Sequence, residues 1–249
     1  LVNCPPTFSA YELYAKLTAT SVVNVNRDAN TFELDEDGLL EAARDPRAAL
    51  VVVTSPNNPT GNLASVDFVR RLARATSALV LVDEAYAEFC DAQASCVPLV
   101  AELPNVCVLR TMSKAYALAG ARVGYLICPD DVADAMLAVR LPYSVNRMSQ
   151  VVAETVVEMR GEFAPIIEAA REERSRLTEA LEGLAAELAA SLPDGADGLR
   201  AWPSEANFVM VRFPGQASGL PCADEMHELL AAYSILVRNF SHTPGLEGC

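Results

Sequence analysis

Three short apolar runs, rich in β-branched residues, constrain the fold of this chain more than any other feature of its sequence. They cover residues 49–54, 78–82 and 105–109, and such runs are typical of strands buried on both faces of a sheet. Between the first two runs, residues 65–76 place apolar side chains at helical spacing, with Ser65 as a suitable N-cap. Strand, helix and strand in this order predict a βαβ unit with parallel strands.

A further helix is predicted over residues 130–141, because Val132, Met136 and Val139 fall on one helical stripe. Helices that alternate with buried strands indicate an α/β domain. We therefore predict that residues 1–147 form a large α/β domain with a mostly parallel sheet.

The second part of the chain, residues 148–249, has a different pattern. Residues 149–190 follow helical periodicity, with interruptions near Gly161 and Pro165. They predict a long helix between two domains, and the turn residues at 193–195 are predicted to end it.

Beyond this helix, the sequence predicts a small sheet. Residues 207–212 alternate like a strand, and residues 235–238 are the predicted partner strand. The predicted fold class is therefore α/β, with a mostly parallel sheet in the large domain and a smaller α+β domain after it.

Composition disfavours several classes of function. The 249 residues include 19 Lys and Arg against 33 Asp and Glu, a formal net charge of −14, which opposes binding to nucleic acid or to an anionic membrane surface. The apolar runs are too short to span a bilayer, so we expect no membrane partner. The seven scattered cysteines include no C-x-x-C pair, and we expect reduced thiols in a cytoplasmic protein and no metal site.

Polar residues follow each predicted strand directly, and the carboxyl ends of parallel strands meet at one edge of a sheet. After the first strand comes SPNNPTG, residues 55–61, in which two prolines and a glycine can hold the Asn58 amide rigidly toward the site. After the second strand come Asp83 and Tyr86. A carboxylate at the rim of a core needs a cation or a hydrogen-bond donor, and capping a helix is the alternative role for Asp83.

After the third strand, the segment TMSKAYALAGARVGY, residues 111–125, contains Lys114 among small and apolar residues. Such a setting can desolvate the amine and lower its pKa, which makes a lysine nucleophilic toward a carbonyl. The alternative is a lysine whose amine reaches solvent from a helix end. Thr111, Ser113 and Arg122 lie in the same segment, and hydroxyls with a guanidinium suit a phosphate group.

An amine, a carboxylate, an amide, a phenol and phosphate donors at one sheet edge suggest pyridoxal phosphate as the cofactor. This cofactor presents a carbonyl for Lys114 and a ring nitrogen for Asp83. Its phenolic oxygen suits Asn58 and Tyr86, and its phosphate suits the donors of residues 111–125.

The segments SPNNPTG, VDEAYAEF and TMSKAYALAGARVGY resemble the signature segments of the fold-type I aminotransferases. The further segments NCPPTFSAY, LPYSVN, VRNF and PGLEGC are similar to those of the histidinol-phosphate aminotransferases in particular. The resemblance covers essentially the whole chain, and the motifs occur in the family's order.

This resemblance implies roles for the residues at the sheet edge. Lys114 would bind the cofactor covalently and then move a proton between substrate and cofactor. Asp83 would keep the ring nitrogen protonated, while Asn58 and Tyr86 would bind the phenolic oxygen.

The resemblance also implies roles around the cofactor phosphate and the substrate. Thr111, Ser113 and Arg122 would bind the cofactor phosphate. Phe8 stands where the family usually has a tyrosine that stacks on the cofactor ring, and Arg238 corresponds to a family contact of the substrate phosphate.

The implied reaction is the reversible transfer of an amino group between histidinol phosphate, the amino donor, and 2-oxoglutarate, the 2-oxo acid, in histidine biosynthesis. Enzymes of this family work as homodimers. The family's other phosphate-binding residues lie upstream of this sequence, and its arginine for the substrate carboxylate lies beyond the Gly-Cys pair at 248–249. We therefore expect a sequence truncated at both ends that is inactive, or nearly so, when used alone.

Three alternatives remain open. Two are enzymes of the same fold: an aromatic amino acid aminotransferase and a decarboxylase of a phosphorylated amino acid. The third is a regulatory protein in which an aminotransferase-like domain senses pyridoxal phosphate. Neither His227 nor His242 suggests a catalytic triad, because no serine or cysteine motif accompanies them.

Overall fold

A six-stranded sheet organises the first half of the molecule. The computed structural model describes residues 1–192, 198–215 and 218–249. Five strands of this sheet are parallel and the edge strand β6 is antiparallel, in the spatial order β2-β1-β3-β4-β5-β6. The strands of the sheet are β1 (Val2–Asn3), β2 (Val23–Asn24), β3 (Leu50–Thr54), β4 (Leu79–Asp83), β5 (Val106–Thr111) and β6 (Gly124–Ile127).

The three apolar runs form the central strands β3, β4 and β5. Val51 of β3 lies opposite Val80 of β4 in a parallel pairing. Parallel neighbours need a crossover connection, which α3 (Val66–Ala75) supplies between these two strands. Its N-cap is Ser65, whose side-chain oxygen accepts a hydrogen bond from the Phe68 amide. The predicted βαβ unit is therefore confirmed.

One face of the sheet carries the main hydrophobic core. Alternate residues of the central strands point to this face, and Val53, Val82 and Val108 are completely buried there. Leu39 and Leu99 pack against them from two helices, and burial of each such side chain stabilises the fold by about 1.5 to 3 kcal/mol. These two helices are α2 (Glu36–Ala43) and α4 (Val97–Glu102).

The remaining helices lie around this core and beyond it. The helix predicted over residues 130–141 is confirmed as α5, but its apolar stripe is not buried, since Met136 is 53% and Val139 is 77% exposed. Helical periodicity thus locates this helix without showing what it packs against. The remaining helices are α1 (Ala10–Leu17), α5 (Asp130–Val139), α6 (Arg147–Glu158), α7 (Arg160–Ala189) and α8 (Ala223–Ala232).

The long helical segment is interrupted once. Met159 alone separates α6 from α7, so the break falls near Gly161 as predicted. Pro165 lies inside α7 without ending it, at the cost of one helix hydrogen bond, so the expected break there is wrong. The predicted turn at 193–195 lies outside the described residues. In the described ranges, no helix combines the length and the apolar character needed to cross a membrane.

The small sheet differs from the prediction. Only the last two residues of the predicted strand at 207–212 form a strand, β8, and it pairs antiparallel with β7, whereas residues 235–238 form no strand. The predicted partner is therefore wrong. Alternation predicts a strand but not its neighbour, and the backbone just after β8 pairs elsewhere, since the Phe213 amide donates to the Gly248 carbonyl at 2.8 Å. The strands of this sheet are β7 (Arg200–Ala201) and β8 (Val211–Arg212).

A second hydrophobic cluster joins the small sheet to the segment between β2 and α2. The Trp202 ring packs against Phe32 with a centroid distance of 4.9 Å, and its indole N–H donates to the Asn30 carbonyl at 2.8 Å. Met210 and Leu246 are buried in the same cluster. The architecture is therefore α/β, with a mostly parallel sheet followed by a smaller α+β part, as predicted.

Candidate active site

The carboxyl ends of β3, β4 and β5 meet at one edge of the sheet, and most of the predicted site residues lie there. Backbone hydrogen bonds connect the strand ends: the Ser55 amide donates to the Asp83 carbonyl, and the Glu84 amide donates to the Leu109 carbonyl, both at 2.9 Å. Loops that are far apart in the sequence are thus held side by side.

Asn57 fixes the loop of residues 55–61. Its side chain is completely buried. Its Oδ1 accepts a hydrogen bond from the Thr7 hydroxyl at 2.7 Å, and its Nδ2 donates to the Pro6 carbonyl at 3.0 Å and to the Thr60 hydroxyl at 2.8 Å. The loop is therefore fastened to the segment between β1 and α1.

Asn58, the predicted ligand in this loop, extends from the anchored backbone toward Tyr86. Its Nδ2 donates to the Tyr86 hydroxyl at 3.3 Å. The Tyr86 side chain is buried and packs edge-on against Phe208, with a centroid distance of 5.1 Å. An amide and a phenol from two different loops thus converge on one point, as predicted.

Asp83 ends β4 and is 4% exposed. Its Oδ1 accepts a hydrogen bond from the Ala85 amide at 3.0 Å, and its Oδ2 accepts one from the Tyr11 phenol at 2.5 Å. Burial raises the pKa of the Asp83 carboxyl, while these two donors and the positive charge of Lys114 oppose the rise. Asp83 is therefore a buried carboxylate with donor partners, as the sequence requires.

Lys114 is exposed at this edge, so the expected desolvation of its amine is wrong. Its neighbours Met112 and Ala115 take the buried positions of the segment, whereas Lys114 does not. Its Nζ lies 5.2 Å from the centroid of the Tyr86 ring. The amine is thus close to the converging amide and phenol, as the resemblance implies.

Thr111, Ser113 and Arg122 line one groove of about 380 Å³. The Thr111 hydroxyl donates to the Ser113 hydroxyl at 3.0 Å. Arg122 has a left-handed backbone with φ of 56°, and its Nη1 donates to the Ala119 carbonyl at 3.0 Å. The structure brings the three predicted phosphate ligands together, and their hydroxyls and guanidinium could hold a phosphate group.

Phe8 and Arg238 are the two remaining predicted site residues. Phe8 is 45% exposed and packs edge-on against Tyr11, with a centroid distance of 6.1 Å. Arg238 is exposed, lies over the Phe240 ring, and lines a groove of about 660 Å³ that also reaches Asn58.

Arg174 connects the long helix α7 to the edge of the sheet. Its Nη1 donates to the Phe89 carbonyl at 3.2 Å and to the Ala206 carbonyl at 2.9 Å. Because Phe89 follows Tyr86 and Ala206 precedes Phe208, this guanidinium holds the two segments that pack against each other beside the site.

A buried ion network includes Glu84, the residue that follows Asp83. Arg110 of β5 forms ion pairs with Glu84 at 2.6 Å and with Glu88 at 3.1 Å. Glu84 also accepts hydrogen bonds from the Ser95 hydroxyl and from the Cys96 amide. The network ties the end of β4 to β5 and to the start of α4.

Sequence reasoning missed Tyr11, Asn57 and the Arg110 network. Tyr11 lies in the first turn of α1, and its ring packs edge-on against Phe8, which precedes the helix. Asn57 stands beside the predicted Asn58, but only its burial separates a structural asparagine from one that lines a site. Within the described residues, no cluster of acidic, histidine and cysteine side chains could hold a metal ion, and all seven cysteines are free thiols.

Comparison with known proteins decides the family. The family model described as "Aminotransferase class I and II" matches residues 1–248. The chain belongs to the class I and II aminotransferases. It is 38% identical over 244 residues to the histidinol-phosphate aminotransferase of Chlorobium luteolum, and the match covers 98% of this chain and 62% of that relative. The chain therefore spans about three-fifths of the length of such a relative.

Solved structures agree with this membership. The crystal structure of the Sinorhizobium meliloti histidinol-phosphate aminotransferase in complex with pyridoxal-5'-phosphate superposes with a TM-score of 0.79 at 26% identity, covering 96% of this chain and 61% of that one. The L-threonine-O-3-phosphate decarboxylase of Porphyromonas gingivalis has the same fold, with a TM-score of 0.79 at 22% identity, and the match covers 99% of this chain and 69% of that one. The aminotransferase fold predicted for this chain is thus confirmed.

Proposed function

We propose that this chain belongs to a pyridoxal-phosphate-dependent aminotransferase that moves an amino group between histidinol phosphate and 2-oxoglutarate. One observation carries the proposal: the buried carboxylate of Asp83, the amine of Lys114 and the Asn58–Tyr86 pair lie at one sheet edge. The family membership and the histidinol-phosphate aminotransferases among its relatives support the same reaction.

The donor set fits pyridoxal phosphate. A buried carboxylate is a partner for a protonated ring nitrogen, and Asp83 is 4% exposed. The groove lined by Thr111, Ser113 and Arg122 offers two hydroxyls and a guanidinium to a phosphate. Phe8 presents an exposed aromatic ring near Tyr11, where it would stack on the cofactor ring.

When bound, pyridoxal phosphate supplies a carbonyl and an electron-withdrawing ring that stabilises negative charge on the substrate carbon. Lys114 would attach the cofactor through Nζ and would then take and return a proton at that atom. Asp83 would hold a proton on the ring nitrogen through its carboxylate. The Asn58 amide and the Tyr86 hydroxyl would bind the phenolic oxygen, which fixes the plane of the ring.

A phosphorylated substrate suits Arg238. Its guanidinium lines the same groove as Asn58 and would give the substrate phosphate a charge-assisted contact. We further propose that residues 1–147 and 148–249 act as a large and a small domain with the substrate between them, in a cytoplasmic homodimer. The long helix α7 supports the division into two domains, the seven free thiols support the cytoplasmic location, and the homodimer rests on the family resemblance.

The first test is to mix the 249-residue chain with pyridoxal phosphate, reduce it with borohydride and locate the added mass by peptide mapping. The chain contains two lysines, Lys16 and Lys114, so Lys16, which pairs with Glu12 at 2.7 Å on an exposed helix face, is an internal control. We expect the label on Lys114 and none after Lys114→Ala. Equal labelling of both lysines, or a label that persists in Lys114→Ala, would contradict the cofactor assignment.

The substrate is tested on the complete product of the gene. We expect the rate with histidinol phosphate and 2-oxoglutarate to exceed the rate with phenylalanine, and no release of carbon dioxide. A preference for phenylalanine would favour the aromatic amino acid aminotransferase, and carbon dioxide release would favour the decarboxylase. Cofactor binding without turnover, together with a DNA-binding domain in the complete product, would favour the regulatory protein.

A further inference from the structure

Tyr11 reaches the buried carboxylate of Asp83 from a helix that the site itself holds in place. It is the second residue of α1. The segment before this helix is anchored by Thr7, whose hydroxyl donates to Asn57 Oδ1 at 2.7 Å and lies within hydrogen-bond distance of the Thr54 hydroxyl at 3.1 Å. The phenol of Tyr11 is thus fixed relative to the ends of β3 and β4.

The two oxygens of Asp83 have separate donors. Oδ1 accepts a hydrogen bond from the Ala85 amide, and Oδ2 accepts one from the Tyr11 phenol. An ionised carboxylate can accept about four hydrogen bonds, so each oxygen keeps one lone pair. A carboxylate held at both oxygens cannot rotate without losing a hydrogen bond, which fixes the direction of the lone pairs that remain.

Building on the proposed function, we propose that Tyr11 is a positioning residue for Asp83, which it keeps ionised and oriented so that the carboxylate can bind the cofactor's ring nitrogen. Tyr11 is not among the described residues that line the groove of Thr111, Ser113 and Arg122, and its hydroxyl donates to the Asp83 carboxylate. It acts through the carboxylate, and its edge-on contact with Phe8 links the carboxylate to the ring expected to stack on the cofactor.

The charged and titratable groups around Asp83 agree with this role. Burial and the neighbouring Glu84 raise the pKa of the Asp83 carboxyl, whereas Tyr11, the Ala85 amide and Lys114 lower it. Conversely, burial and the negative charge of Asp83 raise the pKa of the Tyr11 phenol, so the phenol keeps its proton and remains a donor. A donor that keeps its proton favours the ionised carboxylate, which is the form that can hold a protonated nitrogen.

The test compares Tyr11→Phe with Tyr14→Phe. Both substitutions remove one phenolic hydroxyl from α1, but Tyr14 is 62% exposed and serves as the matched control. The first measurement needs no cofactor: the carboxyl ¹³C signal of Asp83, assigned with Asp83→Asn, is followed through a pH titration. We expect Asp83 to titrate at a higher pH in Tyr11→Phe than in the wild type, and Tyr14→Phe to match the wild type.

The second measurement is the affinity for pyridoxal phosphate as a function of pH. Loss of a hydrogen bond to a charged group should raise the dissociation constant of Tyr11→Phe about tenfold at pH 7. Because the carboxylate becomes protonated at a higher pH without Tyr11, the affinity should also begin to fall at a higher pH on acidification. Both effects should be absent from Tyr14→Phe.

An unchanged Asp83 titration in Tyr11→Phe would overturn the proposal, and so would an affinity loss with the same pH dependence as the wild type. The Asp83 titration could shift in Tyr11→Phe while the wild type fails to bind pyridoxal phosphate. That result would overturn the proposed function and leave the Tyr11–Asp83 coupling supported. Should Tyr11→Phe not fold, Asp83→Asn gives the reciprocal measurement. The Tyr11 phenol should then ionise at a lower pH than in the wild type, and an unchanged phenol would refute the coupling.

Discussion

Replacing Arg110 by methionine should destabilise the fold strongly, because two buried carboxylates depend on its guanidinium. The side chains of Arg110, Glu84 and Glu88 are 16%, 2% and 10% exposed. Methionine keeps most of the aliphatic stem and removes only the charge and the donors. The change therefore isolates the electrostatic role of Arg110 from its packing.

The magnitude follows from the contacts that are lost. Glu84 loses the Arg110 Nε and Nη2 donors at 2.9 and 2.6 Å but keeps the Ser95 hydroxyl and the Cys96 amide. Glu88 loses its ion pair at 3.1 Å, and its Oε2 already has no partner among the described residues. Removing one partner of a buried ion pair costs about 3 to 5 kcal/mol, a large fraction of the stability of a typical domain, about 5 to 15 kcal/mol.

The stability that Arg110→Met loses should depend on pH, and the direction of this dependence follows from Glu88. Burial raises the pKa of Glu88 and Arg110 opposes the rise, so the pKa of Glu88 should rise further in Arg110→Met. A carboxyl whose pKa is raised by folding binds more protons in the native state, so stability falls as pH rises through that pKa. Arg110→Met should therefore lose more stability at pH 7 than at pH 5.

Urea unfolding measures the effect, followed by far-UV circular dichroism and by the fluorescence of Trp202, the one tryptophan of the sequence. The matched control is Arg70→Met, because Arg70 pairs with Asp67 and Glu102 at the surface, where such pairs contribute little. Combining Arg110→Met with Glu84→Gln should recover part of the loss. An Arg110→Met midpoint equal to that of Arg70→Met at pH 7 would refute the reasoning.

Two further predictions concern the loop of residues 55–61. Gly61→Ala should destabilise the chain by about 1 to 3 kcal/mol, because φ is +81° there and a Cβ would lie 2.4 Å from the Ser204 hydroxyl oxygen. The control Gly120→Ala should not destabilise the chain, because the space around Gly120 is open. Thermal unfolding of the pair checks this, and equal midpoints would contradict it. Asn57→Ala should cost about 1 to 3 kcal/mol in urea unfolding through its lost hydrogen bonds. Asn58→Ala should leave stability nearly unchanged and weaken only pyridoxal phosphate binding. A larger loss of stability in Asn58→Ala than in Asn57→Ala would mean that Asn58 is the structural asparagine.

The central strands and the crossover helix could be predicted because their signals are local. The apolar runs at 49–54 and 78–82 and the N-cap at Ser65 specify strand, helix and strand with little help from the rest of the chain. The location of the site could also be predicted, because parallel strands bring their carboxyl ends to one edge of the sheet and Asp83 ends one of these strands.

Other features depended on neighbours that a local pattern does not contain. The segment around Lys114 is apolar, but Met112 and Ala115 occupy the buried positions and leave the lysine exposed. Residues 235–238 have the composition of a strand, yet they form no strand among the described residues, and β8 pairs with β7 instead. Composition predicts what a segment can do, whereas burial depends on what packs against it.

By itself, the sequence determined the type and order of the central strands β3, β4 and β5 and of the helix α3, and the chemical groups that follow these strands, because both are encoded within a few residues. Only the tertiary structure decided which of the two asparagines Asn57 and Asn58 is structural, and which side chain is the partner of Asp83. Tyr11 and Asp83 are 72 residues apart in the sequence. A hydrogen bond over such a separation exists only after the helix and the strand have packed, so no local pattern could have predicted it.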